Sequence, residues 1–165
     1  NAEKILDKKN KKILKYAIIQ SCKIKSKIVS RDEKEKNLRM ILNFGHTFAH
    51  GFEGAKNFSK KLNHGEAVLL GMMMASQLSY NKKLLPLKDF LLIKKHYANL
   101  NLPSKIKKFF KKGEINKIVS FMKKDKKNSN EKINLILIKK IGQTTEPGKF
   151  NSNSNSIKKF LISQY

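Results

Sequence analysis

Residues 64–85 read HGEAVLLGMMMASQLSYNKKLL. From Ala67 to Ala75 every position is apolar or Gly, so this stretch has no solvated face. A helix that is apolar all round sits among other helices, and this one predicts a helical bundle. Asn63, just before it, has the side chain of an N-cap, and Pro86 sets the far limit. The Met72–Met74 run reads as core filling, because thioether sulfur is a weak ligand for hard metals.

Upstream, residues 39–53 read RMILNFGHTFAHGFE. Arg39, Asn43, His46, His50 and Glu53 are spaced 4, 3, 4 and 3 apart. At roughly 100° per residue they fall within about 80° of one another on a helix. Nearly all other positions are apolar, so a single helix here is expected to carry a narrow polar stripe. Buried polar groups are costly unless satisfied, so such a stripe points to a ligand, a metal or both.

The rest of the chain reads mostly as helix. Ile5, Leu6, Ile13, Ala17 and Ile24 give residues 2–29 helical spacing, with a break near residues 7–10. Residues 54–63 read as a loop and 87–100 as a helix. Shorter helices are expected at 104–110 and 114–124, then a polar loop at 125–130. NLILIKK at 134–140 is the best strand, with a turn at Gly142 and a partner strand near Lys149. NSNSNS at 151–156 reads as a low-complexity hinge and 157–165 as a closing helix. The expected fold class is mainly α: one domain over residues 1–165, a helical bundle with a small late β ribbon.

The net charge is +25, which raises nucleic acid or an anionic membrane as a partner. Only Arg31 and Arg39 among the 37 basic residues are Arg, and the Lys residues are spread along the whole chain. Readers of bases and phosphates rely on the planar fork of Arg, so neither partner is expected. A lone Cys22 excludes an internal disulfide framework. No 18-residue apolar run and no signal peptide are present, and a cytoplasmic location is expected. The chain begins with Asn1 and is read as the later part of a longer protein.

His46 and His50, four apart, put both imidazoles on one side of a helix. An antiparallel return would bring His64, at the start of the following helix, back to them. Neutral imidazole is a common ligand of zinc and similar metals. Two such residues are an incomplete set, because catalytic zinc usually has three protein ligands and an open position. Each His alone reads more simply as a structural residue. Three of the four within 19 residues, beside Arg and Asn, favour a site. His96, on a Lys-rich helix, reads as surface. Glu66 reads first as a favourable carboxylate at a helix N-terminus, with a metal-ligand or supporting role as the alternative. Glu53 reads equally as the partner of a His or as a solvated carboxylate.

LRMILNFGHTFAHGFE at 38–53, followed by LNHGEAVLLGMMMA at 62–75, resembles the C-terminal half of the 3-dehydroquinate synthase family. SCKIKSKIVSRDEKE at 21–35 and MKKDKK at 122–127 are similar to that family in the same order. The resemblance covers essentially the whole chain. It implies the helical C-terminal domain of a two-domain enzyme whose other domain binds NAD. The implied reaction turns 3-deoxy-D-arabino-heptulosonate 7-phosphate into 3-dehydroquinate and phosphate, with NAD and a divalent metal, zinc or cobalt, as cofactors. In it NAD transiently oxidises a hydroxyl, phosphate is eliminated, the hydride returns, and an aldol step closes the ring. Within the resemblance, His46 and His64 match the metal ligands. Arg39, Asn43, His50 and Lys25 match substrate-binding residues, with His50 and Lys25 in catalytic roles. Lys127 matches a phosphate-binding lysine, with Lys126 as the alternative. A homodimer is implied for the full-length enzyme.

The family's third metal ligand, a glutamate, has no counterpart here; Glu3 does not align with it. No Gly-rich phosphate loop occurs in the 165 residues. The chain alone is therefore expected to bind NAD poorly and metal weakly and to catalyse little. The alternatives are another sugar-phosphate cyclase, such as a 2-deoxy-scyllo-inosose or valiolone synthase, and a metal-dependent alcohol dehydrogenase of the glycerol dehydrogenase type. A Lys-rich nucleic-acid-binding module and a degenerate fragment are the others.

Overall fold

The computed structural model describes residues 2–7, 10–124 and 132–165. The chain forms two compact units, residues 1–42 and 43–165.

The first unit pairs α1 (Ala2–Leu6) with α2 (Lys11–Val29). The expected break between them is there because Asn10 starts a new helix: its Oδ1 accepts the Ile13 N–H at 3.2 Å. No residue of either helix is buried. Ile13 and Ala17 are half-buried, while Leu6 and Ile24 are exposed. After α2 the chain turns around Asp32, whose carboxylate accepts three backbone N–H groups, from Lys36 (2.9 Å), Asn37 (2.8 Å) and Arg39 (3.0 Å). A 3-10 helix, Leu38–Asn43, leads into the second unit.

The second unit is built around α3 (His46–Ala55) and α4 (His64–Asn81). Further on come α5 (Leu87–Asn99), α6 (Ile115–Lys123) and α7 (Ser154–Ile162). Helix α3 packs on α4 on one side and on α6 on the other. Phe48, Phe52, Leu70, Ile118 and Met122 are fully buried there, each such side chain contributing about 1.5–3 kcal/mol by leaving water. Phe52 also meets Phe110 at 5.3 Å between ring centroids, and Phe48 meets Phe160 of α7 at 6.0 Å. As the spacing predicts, α4 is central: Ala67, Leu70, Met73, Met74, Ala75 and Leu78 are all buried. The Tyr97 hydroxyl donates to the Leu69 carbonyl at 2.9 Å and ties α5 to α4; burial pushes its pKa up to about 12.

The single helix expected over 39–53 is two elements. The chain stops being helical at Phe44–Gly45, and Gly45 takes φ +81°. The cause is a close approach to α4. A Cβ on Gly45 would lie 2.5 Å from the Met72 nitrogen, and one on Gly71 only 2.2 Å from the Gly45 carbonyl oxygen. An interior helical Gly costs about 1 kcal/mol relative to Ala, so Gly71 weakens α4 slightly and lets α3 settle against it. Helix α4 also ends earlier than Pro86, because Lys83 adopts φ +58° and the Leu84 N–H returns to the Ser79 carbonyl. The helix expected at 104–110 is a single 3-10 turn, Ile106–Lys108.

The late ribbon is two ribbons. Strand β1 (Lys132–Asn134) pairs antiparallel with β4 (Asn151–Asn153), and β2 (Ile138–Lys140) with β3 (Gln143–Thr144). The strand expected over 134–140 is interrupted at residues 135–137, all buried, where the pairing passes from β4 to β3. The Ile138 N–H donates to Ser79 Oγ at 3.1 Å and docks this segment on α4. NSNSNS is not a hinge. It supplies β4 and the start of α7, where Asn153 Oδ1 accepts the Ser156 N–H at 2.7 Å. The polar loop expected at 125–130 lies outside the described residues.

Gly71→Ala is expected to destabilise the protein by about 1–3 kcal/mol, the usual cost of overpacking. Gly65→Ala, where a Cβ meets open space, should change stability little. Urea unfolding of both variants distinguishes a helix–helix clearance from a general intolerance of Ala in α4.

Candidate metal and substrate site

Helix α3 starts at His46 because Gly45 has just turned the chain, and one turn later comes His50. Their rings are 6.0 Å apart between centroids and nearly perpendicular, at 81°. The close contact of Gly45 and Ala49 with Gly71 sets the two helices side by side. His64, the first residue of α4, then brings its ring to 5.9 Å from that of His46. His46 thus stands between the other two. It is half-buried, whereas His50 and His64 are exposed. Of the polar line, His50 is exposed, while Arg39, Asn43, His46 and Glu53 are each half-buried.

Two hydrogen bonds set the chemistry of the outer and middle rings. His46 Nδ1 lies 3.3 Å from the Phe44 carbonyl oxygen. His64 Nδ1 lies 3.0 Å from Glu53 Oε1. A carbonyl and a carboxylate only accept, so each Nδ1 carries a proton, and in the neutral ring the lone pair is left on Nε2. Two imidazoles on one tetrahedral metal, with metal–nitrogen bonds of about 2.0 Å, have centroids roughly 5 Å apart. The observed 5.9 Å is within a small side-chain adjustment of that. Among the described residues, no group of three or more His, Cys, Asp or Glu side chains is arranged to hold a metal ion.

Glu66 is occupied elsewhere: its Oε2 accepts the Asn63 N–H at 2.9 Å, a capping interaction that starts α4. Asn43, half-buried, ends the 3-10 helix just before the Gly45 turn. Arg39 and Lys25 belong to the first unit, Arg39 half-buried and Lys25 exposed on α2. The Arg39 guanidinium donates to the Glu33 carbonyl at 2.8 Å. Lys127, and with it Lys126, lies outside the described residues. His96 is exposed on α5, as its Lys-rich surroundings predict.

With this geometry in hand, the chain matches the 3-dehydroquinate synthase C-terminal family over residues 1–128. It belongs to that family. It is 50% identical over 154 residues to the 3-dehydroquinate synthase of Pelagibacter ubique (strain HTCC1062), covering 93% of this chain and 42% of that protein. The 3-dehydroquinate synthase of Thermoanaerobacter pseudethanolicus (strain ATCC 33223 / 39E) is 41% identical over 143 residues, 87% of this chain and 38% of that one. The chain thus spans about two-fifths of the length of these curated relatives.

Among solved structures, 2-deoxy-scyllo-inosose synthase complexed with carbaglucose-6-phosphate, NAD+ and Co2+ aligns with a TM-score of 0.65 at 23% identity. That alignment covers 84% of this chain and 38% of the synthase. The 2-epi-5-epi-valiolone synthase of Streptomyces hygroscopicus subsp. jinggangensis 5008, with NAD+ and Zn2+ bound, aligns with a TM-score of 0.63 at 21% identity, over 84% of this chain and 36% of that synthase. These two likenesses are of fold. The helical fold expected of the family is the fold observed.

The sequence reading missed Asp32, which braces the turn carrying Arg39. The available signal was an Asp a few residues ahead of a helix start, where it meets exposed N–H groups. The backbone N–H of Arg39, then those of Asn37 and Lys36, hold the Asp32 carboxyl below its ordinary range. A lowered folded value means that these bonds support the turn above the ordinary carboxylate pKa of about 3.9. That support is lost as pH falls through the lower folded value. The amide proton shifts of Lys36, Asn37 and Arg39 are expected to titrate together, with a midpoint below about 3.9. In Asp32→Asn this shared transition should be absent.

Proposed function

We propose that this chain supplies the metal-binding histidines and much of the substrate pocket of a 3-dehydroquinate synthase. The observation that carries the reading is the meeting of His46 and His64 at 5.9 Å, each with Nδ1 committed to an acceptor, inside a family domain. His46 and His64 would hold a divalent metal, zinc or cobalt, through their Nε2 atoms. Once bound, that metal would act as a Lewis acid on substrate hydroxyl and carbonyl oxygens. Co2+ and Zn2+ in the two cyclases of like fold support this choice.

Both NAD and this metal are proposed as cofactors of the whole protein. The residues of this chain offer no Gly-rich loop for a dinucleotide, so no contact with NAD is assigned to them. The substrate would be a sugar phosphate that also carries a carboxylate. Arg39 and Lys25 are the residue types that bind such anions, Arg through its paired N–H groups. Asn43 would hydrogen-bond the substrate, and Lys127 would meet the phosphate. His50 stands beside His46 and is exposed, so it would hold the phosphate or pass a proton as it leaves.

The test is turnover of 3-deoxy-D-arabino-heptulosonate 7-phosphate by the intact protein, followed by phosphate release. His46→Ala and His64→Ala are each expected to lower bound metal, measured by elemental analysis, together with kcat. Arg39→Ala should raise KM about 10- to 100-fold, since a hydrogen bond to a charged group contributes about 1.5–3 kcal/mol. Turnover of glucose 6-phosphate instead would move the assignment to the inosose synthase type.

A further inference from the structure

We infer that Glu53 is a positioning residue for His64, setting its ring and tautomer for a divalent metal. The inference rests on the reading above that His64 is a metal ligand. Glu53 Oε1 lies 3.0 Å from His64 Nδ1, across the gap between α3 and α4. The two side chains are unequally anchored: Glu53 is 14% exposed and His64 is 62% exposed. The carboxylate is therefore the fixed member, and the ring is the member it restrains. A hydrogen bond to a ring this exposed contributes little to stability, so its use is orientation.

Without that bond, His64 is a solvent-facing ring on the first residue of a helix. With it, Nδ1 carries a proton, as the Phe44 carbonyl also requires of His46, and in the neutral ring Nε2 presents its lone pair. A carboxylate behind an imidazole also raises the basicity of the ligating nitrogen. Glu53 is not itself the missing third ligand. Among the described residues, no set of three such side chains that includes it is arranged around one point. Glu66 belongs to no such set either, and its Oε2 is held by the Asn63 N–H.

The test compares Glu53→Ala, Glu53→Gln, His64→Ala and the double variant Glu53→Ala/His64→Ala in the intact protein. Zinc affinity is read by competition with a chromophoric chelator. The His64 tautomer is read by nitrogen–proton NMR of the metal-free protein. Glu53→Ala is expected to weaken zinc binding about 10- to 100-fold and to shift the His64 proton from Nδ1 toward Nε2. Glu53→Gln, which keeps an acceptor oxygen but loses the charge, should fall in between; it also serves if the Ala variant fails to fold. The double variant should bind zinc no more weakly than His64→Ala, because Glu53 acts only through that ring. Wild-type affinity and tautomer in both Glu53 variants, with affinity lost in His64→Ala, would overturn the inference and leave the metal reading intact. Unchanged affinity in His64→Ala would overturn the metal reading, and the inference with it.

Discussion

Helix α3 is held between two neighbours at distances that no side chain would allow. On the α4 side, the Gly45 carbonyl oxygen lies where a Cβ on Gly71 would crowd it, 2.2 Å away. On the α6 side, a Cβ on Gly51 would lie 2.6 Å from Met122 Cγ, and one on Gly54 would lie 2.3 Å from the Phe121 ring. Glycines at these points trade intrinsic helix stability for clearance, and the neighbouring Phe48 and Phe52 recover it by complete burial. The rest of the second unit is arranged around that wedge. Helix α7 reaches it through Phe160, and the 3-10 turn near Phe110 reaches it through Phe52.

The same clearance creates the site. His46 opens α3 because the chain must turn at Gly45, and the turn is there because α4 comes so close. His64 opens α4 because Asn63 and Glu66 cap it. Each histidine is therefore placed by a helix start, and each helix start has an identifiable cause. The whole chain carries a net charge of +25. A positive field of that kind favours the approach of anions in general, and salt screens it over roughly 8 Å at physiological ionic strength.

Local chemistry was the legible part of the sequence. The Asn63 helix start, the break near residues 7–10, the apolar all-round α4, the Met packing and the grouping of three histidines all follow from spacing and residue type. What was illegible depended on residues far apart in the chain. The helical period runs unbroken through 39–53, and only Gly71, 26 positions beyond Gly45, reveals why the helix must stop there. The 134–140 strand looked continuous because its apolar run gave no sign that its pairing partner would change from β4 to β3 midway. NSNSNS looked like a linker because the composition of a flexible tract is also that of a capped helix start.

The histidines lie 18 positions apart on a helix–loop–helix hairpin, whereas the Gly51–Met122 contact that completes the wedge joins residues 71 positions apart. Closing a loop costs more entropy as it lengthens, and contacts between sequence neighbours form earlier. In kinetic terms, the α3–α4 hairpin belongs to the part of the fold that can order first. The two rings would then meet before α6 arrives, and the late docking of α6 would lock an arrangement of the site that already exists.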